Sequence, residues 1–160
     1  MIEGYLYPLT VIAALGCGLI AGAFFVFSVM VMPSLDRLPP AQGTAAMQAI
    51  NEAALRPPFL GVFVGTAAVC AAVVVASLVD WDDASAYLLA GGLLYVLGVF
   101  ALTAGYHVPR NDALAEVEPS SADAPGQWTR YVAEWTTGNH VRAAAALGAA
   151  ALLTVALHVR

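Results

Sequence analysis

The chain has 160 residues, of which 61% are hydrophobic and 11% charged, with a formal net charge of −5. Soluble domains carry about 25% charged residues, so a water-soluble globular protein is excluded. The acidic balance, with no basic stripe, also excludes a nucleic-acid-binding function. The length suits one domain, 1–160, with no room for a soluble unit beside the apolar stretches.

Four apolar stretches, at about 6–32, 57–79, 84–106 and 138–158, occupy most of the chain. A helix needs about 20 apolar residues to cross the hydrocarbon core of a bilayer, and each stretch meets or approaches that length. The expected fold class is all-α: a four-helix transmembrane bundle with short amphipathic helices in the first and third loops. The first stretch is expected to be a retained helix. Its leading segment carries Glu3 and no positive charge, and its apolar run is longer than that of a signal peptide.

Small residues at helical spacing point to close helix packing in lipid. They are Ala13, Cys17 and Ala21, with Gly18 and Gly22 on a neighbouring row, then Gly61 and Gly65, Gly91 and Gly92, and Ala144, Ala145, Gly148 and Ala149. Such faces also permit a homo-oligomer. Cys17 and Cys70 fall inside the first two spans; they read as small packing residues rather than a redox pair.

The first loop, after Pro39-Pro40, places Met47, Ile50 and Ala54 on one helical face, so 41–55 predicts a short amphipathic helix on the membrane surface, with Asn51 near the entrance to the bundle. Pro57-Pro58 ends that segment and starts the second span. The second loop, Asp80-Trp81-Asp82-Asp83, is too short for anything but an antiparallel connection between spans two and three. In the third loop, 112–126 lacks sustained periodicity and is expected to be mobile. From 127 to 135 the pattern becomes helical, with Trp128, Tyr131 and Trp135 on one face. That stripe is either an interfacial aromatic belt or a flat surface for an aromatic ligand.

The basic residues are all arginines, and five of the six (Arg37, Arg56, Arg110, Arg130, Arg142) lie in or beside the first and third loops. The positive-inside bias therefore places those loops in the cytoplasm and the termini outside, with Arg160 the one residue against it.

Polar groups at span ends carry the functional signal. His107 ends the third span and His140 begins the fourth on the same side, so the two imidazoles can meet and transfer protons. Asn139 and Arg142, three apart, share a helix face suited to holding an anionic oxygen. Structural readings stand beside these: Arg142 as a snorkelling anchor, Asn139 as a helix N-cap, His107 as a headgroup-region residue. A metal site is not expected, because two histidines fall short of the usual ligand number. Axial ligation of a haem by His107 and His140 is an alternative use of the pair. Ionisable groups are nearly absent from the span interiors, which argues against a coupled transporter.

Three segments resemble motifs of the anthrone oxygenase-like family of bacterial and fungal membrane proteins. They are Phe-Ser-Val-Met-Val-Met-Pro-Ser-Leu (27–35) with Ala-Met-Gln-Ala-Ile-Asn (46–51), Thr-Ala-Gly-Tyr-His-Val-Pro-Arg-Asn-Asp-Ala-Leu (103–114), and Trp-Thr-Arg-Tyr-Val-Ala-Glu-Trp-Thr-Thr-Gly-Asn-His-Val-Arg (128–142). The chain departs from the usual pattern at Arg110 and at Gly138, where the loss of an aromatic is expected to reshape a ligand pocket. The resemblance implies an oxygenase in a bacterial plasma membrane that converts a lipophilic anthrone and O2 to a quinone without a dedicated cofactor. In that chemistry His140 or His107 is the expected base. Asn139, Arg142 and Asn111 would steady the enolate oxygen, and Trp128 and Trp135 would stack on the rings. A non-catalytic membrane subunit or lipid-binding protein is the other reading of the same residues.

Overall fold

The computed structural model describes residues 3–159; Arg160, the residue set against the topology expectation, lies outside them. Five helices make up the described residues. α1 runs Glu3–Val26, widens into a π-helical segment at Phe27–Val31 and closes at Met32–Leu35. α2 is Pro40–Ala54 and α3 is Pro57–Val79. α4 starts at Ser85–Tyr95, passes through π-helical segments at Val96–Ala101 and Thr103–His107, and ends with Val108–Ala115. α5 is one unbroken helix, Ala124–Val159. Four of these, all but α2, are long and apolar enough to cross a bilayer, which makes the chain an integral membrane protein.

Proline explains where two of the helices widen. A proline inside a helix lacks the N–H donor and crowds the carbonyl four residues back. Pro33 follows the π segment Phe27–Val31 and Pro109 follows Thr103–His107, so in each case the crowded carbonyl lies in a widened turn. The helices thereby continue past the prolines instead of ending, and α4 reaches Ala115 rather than the expected 106.

α5 differs most from expectation. Its 36 residues span about 54 Å at ~1.5 Å per residue, well beyond a hydrocarbon core of about 30 Å. The aromatic segment 127–135 is therefore the outer end of the fourth span, not a separate surface helix. The expected mobile loop shrinks to residues 116–123. That segment is fastened down: Val117 is buried, and Gln48 Nε2 donates to the carbonyls of Leu114 and Val117, both at 2.9 Å.

The spanning helices form a closed ring, α1 against α3, α3 against α4, α4 against α5 and α5 against α1. One apolar core runs along the bundle, from Leu6, Cys17 and Ile20 to Tyr95, Ala149 and Leu153. Cys17 and Cys70 are free thiols packed against each other, with Sγ–Sγ 3.7 Å. A second core lies at one end, where α2 covers Met32, Leu114, Trp128, Tyr131 and Trp135. α2 is thus the amphipathic helix expected for the first loop, with Gly43, Thr44 and Met47 as its buried face.

Only some of the small residues make close contacts. A Cβ on Gly92 would lie 2.9 Å from the Cys70 carbonyl oxygen and 2.5 Å from Val74 Cγ2, whereas Gly18, Gly22, Gly61 and Gly65 have nothing within 4 Å. Gly92→Ala is expected to force α3 and α4 apart and lower stability by about 1–3 kcal/mol. Gly61→Ala and Gly65→Ala are expected to cause no loss. Unfolding midpoints in mixed detergent–SDS micelles check the contrast.

Candidate functional site

A cavity of about 570 Å³ lies at the α2 end of the bundle, enclosed by all five helices. Small-molecule sites typically occupy about 300–1,000 Å³. Its wall is mostly apolar and includes six aromatic side chains: Phe24 and Phe27 from α1, Phe59 and Phe63 from α3, Phe100 from α4 and Trp135 from α5. Phe63 stacks with Phe59 and with Phe100, at centroid distances of 6.3 and 5.7 Å. Into this wall come four polar side chains, Asn51, Thr103, Asn111 and Arg142.

Arg142 is the unusual one. It is only 4% exposed, and no carboxylate among the described residues pairs with it; the ion pair recorded there is Arg110–Glu134 at 2.9 Å. Its acceptors are neutral. Nη2 donates to Asn139 Oδ1 at 2.8 Å and Nη1 to Thr103 Oγ1 at 3.1 Å. The guanidinium carbon lies 4.2 Å from the centroid of the Phe24 ring and 5.2 Å from that of Trp135, so ring faces supply part of the missing negative potential. Nε has no acceptor among the described residues. An arginine stays protonated at neutral pH, and a buried cation without a counter-ion is costly.

Asn139 holds this cation in place. Fully buried, it donates through Nδ2 to the Phe24 carbonyl at 2.7 Å and to Ser28 Oγ at 2.8 Å, beside the widened turn of α1. Those bonds leave Oδ1 facing Arg142. Thr103, the other acceptor, belongs to a widened segment of α4. Asn139 is accordingly interior to α5 and not an N-cap, and Arg142 does not snorkel.

Nearer the mouth, a second network sets the amides. Trp135 Nε1 can only donate and does so to Asn111 Oδ1 at 3.1 Å. Tyr131 donates its hydroxyl to the same oxygen at 2.9 Å and accepts from Asn51 Nδ2 at 3.3 Å. Asn111 therefore keeps its amide nitrogen, and Asn51 its carbonyl oxygen, for a ligand.

The remaining expected site residues lie elsewhere. His140 is exposed on the outer face of α5: with Asn139 and Arg142 turned inward, the residue one position after Asn139 is rotated out by about 100°. His107 is fully buried behind Trp135, edge-on to its ring at 5.4 Å, with Nε2 3.3 Å from the Trp135 carbonyl oxygen. One imidazole is thus buried inside the bundle and the other exposed on its surface, with no contact between them. Among the described residues no group of three His, Cys, Asp or Glu converges as metal ligands. Trp128 and Tyr131 stack on each other at 6.0 Å, but beneath α2; a Cβ on Gly43 would lie 2.8 Å from Trp128 Cζ2. Of the stripe, only Trp135 lines the cavity. Gly138 does not line it either: a Cβ there would meet Tyr106 Cε1 at 2.5 Å and His107 Cε1 at 2.8 Å, so those rings fill the space. The phenylalanines were missed, since apolar residues in a span carry no sequence mark distinguishing a cavity wall from a lipid-facing surface.

A family model described as anthrone oxygenase matches residues 59–152. The chain belongs to the anthrone oxygenase family. The match takes in α3, α4 and most of α5, and with them His107, Asn111, Trp135, Asn139 and Arg142. No curated protein and no solved structure shows significant similarity to the chain.

The dependence of Arg142 on Asn139 is measurable. Asn139→Leu is expected to lower stability by roughly 3 kcal/mol, because a buried charge loses one of its two acceptors. Combining it with Arg142→Met removes the charge as well and is expected to recover at least half of the loss. A double-mutant cycle of unfolding midpoints reads the coupling.

Proposed function

We propose that this member of the anthrone oxygenase family is a membrane oxygenase acting on a flat lipophilic aromatic such as an anthrone, through its enolate. The observation that carries the proposal is Arg142: a buried guanidinium with an unpaired Nε–H, lining an aromatic cavity and lacking an anionic partner. An enolate oxygen is such a partner. Low dielectric makes fixed donors of this kind effective for charge that develops during a reaction.

In this reading the substrate lies between the phenylalanine rings with its oxygen toward Arg142, and the amide nitrogen of Asn111 is a further donor. Arg142 favours the anion, and the methylene proton is lost to solvent at the polar mouth near Asn51 and Asn111. This moves the main role from a base to an oxyanion holder, since neither histidine lines the cavity. The enolate gives one electron to O2. The resulting radical and superoxide combine to a peroxide at the former methylene carbon, and loss of that carbon's remaining proton with cleavage of the O–O bond yields the quinone and water. The electrons come from the substrate, so no dedicated cofactor is required. His107 orients Trp135, and Asn139 orients Arg142. The arginine bias supports a cytoplasmic position for the cavity end of the bundle.

Oxygen uptake by the purified protein with an anthrone, above the uncatalysed rate and with a chelator present, tests the proposal. Arg142→Gln is expected to lower the catalysed rate by roughly 10²–10³-fold, the usual effect of removing one oxyanion donor. His140→Ala is expected to leave the rate unchanged. Loss of activity in His140→Ala with Arg142→Gln fully active would restore the imidazole as base and remove Arg142 from the chemistry.

A further inference from the structure

We infer that the cavity takes its ligand sideways from the hydrocarbon layer, as a neutral weak acid that becomes an anion only against Arg142. The inference rests on the anion-holding role of Arg142 proposed above and adds the route and the class of ligand.

Six of the residues that line the cavity are also exposed: Ala53 and Leu55 at the end of α2, Leu60 and Val64 on α3 (38% and 43%), and Ala104 and Val108 on α4. All are apolar. Leu60 and Val64 stand about 5 and 11 Å along the axis from the first residue of α3, which is acyl-chain depth for a helix starting at the interface. α3 packs chiefly against the Ser85–Tyr95 and Val96–Ala101 parts of α4. Beyond them α4 widens at Thr103–His107, and the two helices leave a slot facing lipid.

The aqueous end is closed to a flat aromatic by contrast, with water reaching only the half-buried amides of Asn51 and Asn111. α2 lies across it with Thr44 and Met47 at 0% exposure, over Trp128 at 2%. Gln48 bonds α2 to the end of α4, and Asn51 bonds it to Tyr131. A water-borne anion would have to displace this cap or cross hydrocarbon, and both are unfavourable for a charge. A neutral, flat molecule dissolved in the bilayer meets an apolar rim of leucine, valine and alanine, and then phenylalanine rings, on its way to Arg142. The ligand class is therefore an un-ionised C–H or O–H acid whose conjugate base is a delocalised oxyanion. Permanently charged aromatics are excluded.

The test uses the full chain in phosphatidylcholine vesicles with 2-hydroxyanthraquinone, at a pH where the free dye is un-ionised. Binding against Arg142 is expected to produce the red-shifted absorption of the phenolate, and Arg142→Gln to abolish it. Leu60→Trp and Val64→Trp are expected to slow its appearance at least tenfold with the same final amplitude. Val62→Trp, on α3 but outside the cavity lining, is expected to match the wild type. Anthraquinone-2-sulfonate in the water phase is expected not to compete. Unslowed binding in both tryptophan variants, a reduced amplitude at unchanged rate, competition by the sulfonate, or no red shift in the wild type would each overturn the inference. The two readings fail separately: a red shift that follows this pattern without anthrone-dependent oxygen uptake removes the oxygenase and leaves the lateral route. Uptake undiminished in Leu60→Trp and Val64→Trp does the reverse.

Discussion

A guanidinium taken out of water must be surrounded by oxygen atoms or π faces, and the bundle around Arg142 is arranged to meet that demand. Asn139 can present its carbonyl oxygen to Arg142 only because its amide nitrogen is engaged by Phe24 and Ser28. Those two residues flank the start of the widened turn in α1. Thr103 offers its hydroxyl oxygen from a widened segment of α4, while its own proton goes to the Val99 carbonyl at 2.7 Å. Two irregular helix segments, each followed by a proline, thus converge on one side chain of a regular helix. The irregularities come from α1 and α4, and α5 supplies the charge.

That arrangement leaves the cation held but not neutralised. The contrast with Arg110 is instructive. Arg110 has a carboxylate, Glu134, at 2.9 Å, and lies over the Tyr106 ring at 3.5 Å, yet both charges of the pair are partly exposed. Such pairs contribute little to stability, and this one mainly joins α4 to α5 outside the cavity. Arg142 has no such partner among the described residues and almost no solvent. An acidic side chain in the place of Asn139 would satisfy it permanently and remove its attraction for a ligand; a neutral amide steadies it without cancelling its field.

Two cores divide the labour. The bundle core along α1, α3, α4 and α5 sets the helix ring, with close approaches at positions such as Gly92. The smaller core under α2 closes the water-facing end with Trp128, Tyr131 and Met47. The cavity sits at their junction, bounded by aromatic side chains from the first and by the Asn51–Tyr131–Asn111 chain from the second. Its polar groups therefore cluster toward the cap, and its open apolar rim faces lipid.

By itself the sequence determined what depends on local composition and period. The spans followed from apolar length, α2 from the spacing of Met47, Ile50 and Ala54, and the shared face of Asn139 and Arg142 from helical geometry. The same geometry, once that face was known to be internal, turns His140 outward; what was missing was which face packs inward, and α5 is apolar enough all round to hide it. Helix ends at Pro33 and Pro109 were misjudged because the widened turns that accommodate proline depend on neighbouring helices. Segment 116–123 looked mobile because its anchors, Gln48 and the pocket for Val117, are distant in sequence. Only the tertiary structure decided that Trp135 faces the cavity while Trp128 and Tyr131 lie under α2, and that Arg142 is left without a counter-ion. Both are sums over contacts from several helices, and no single helix encodes such a sum.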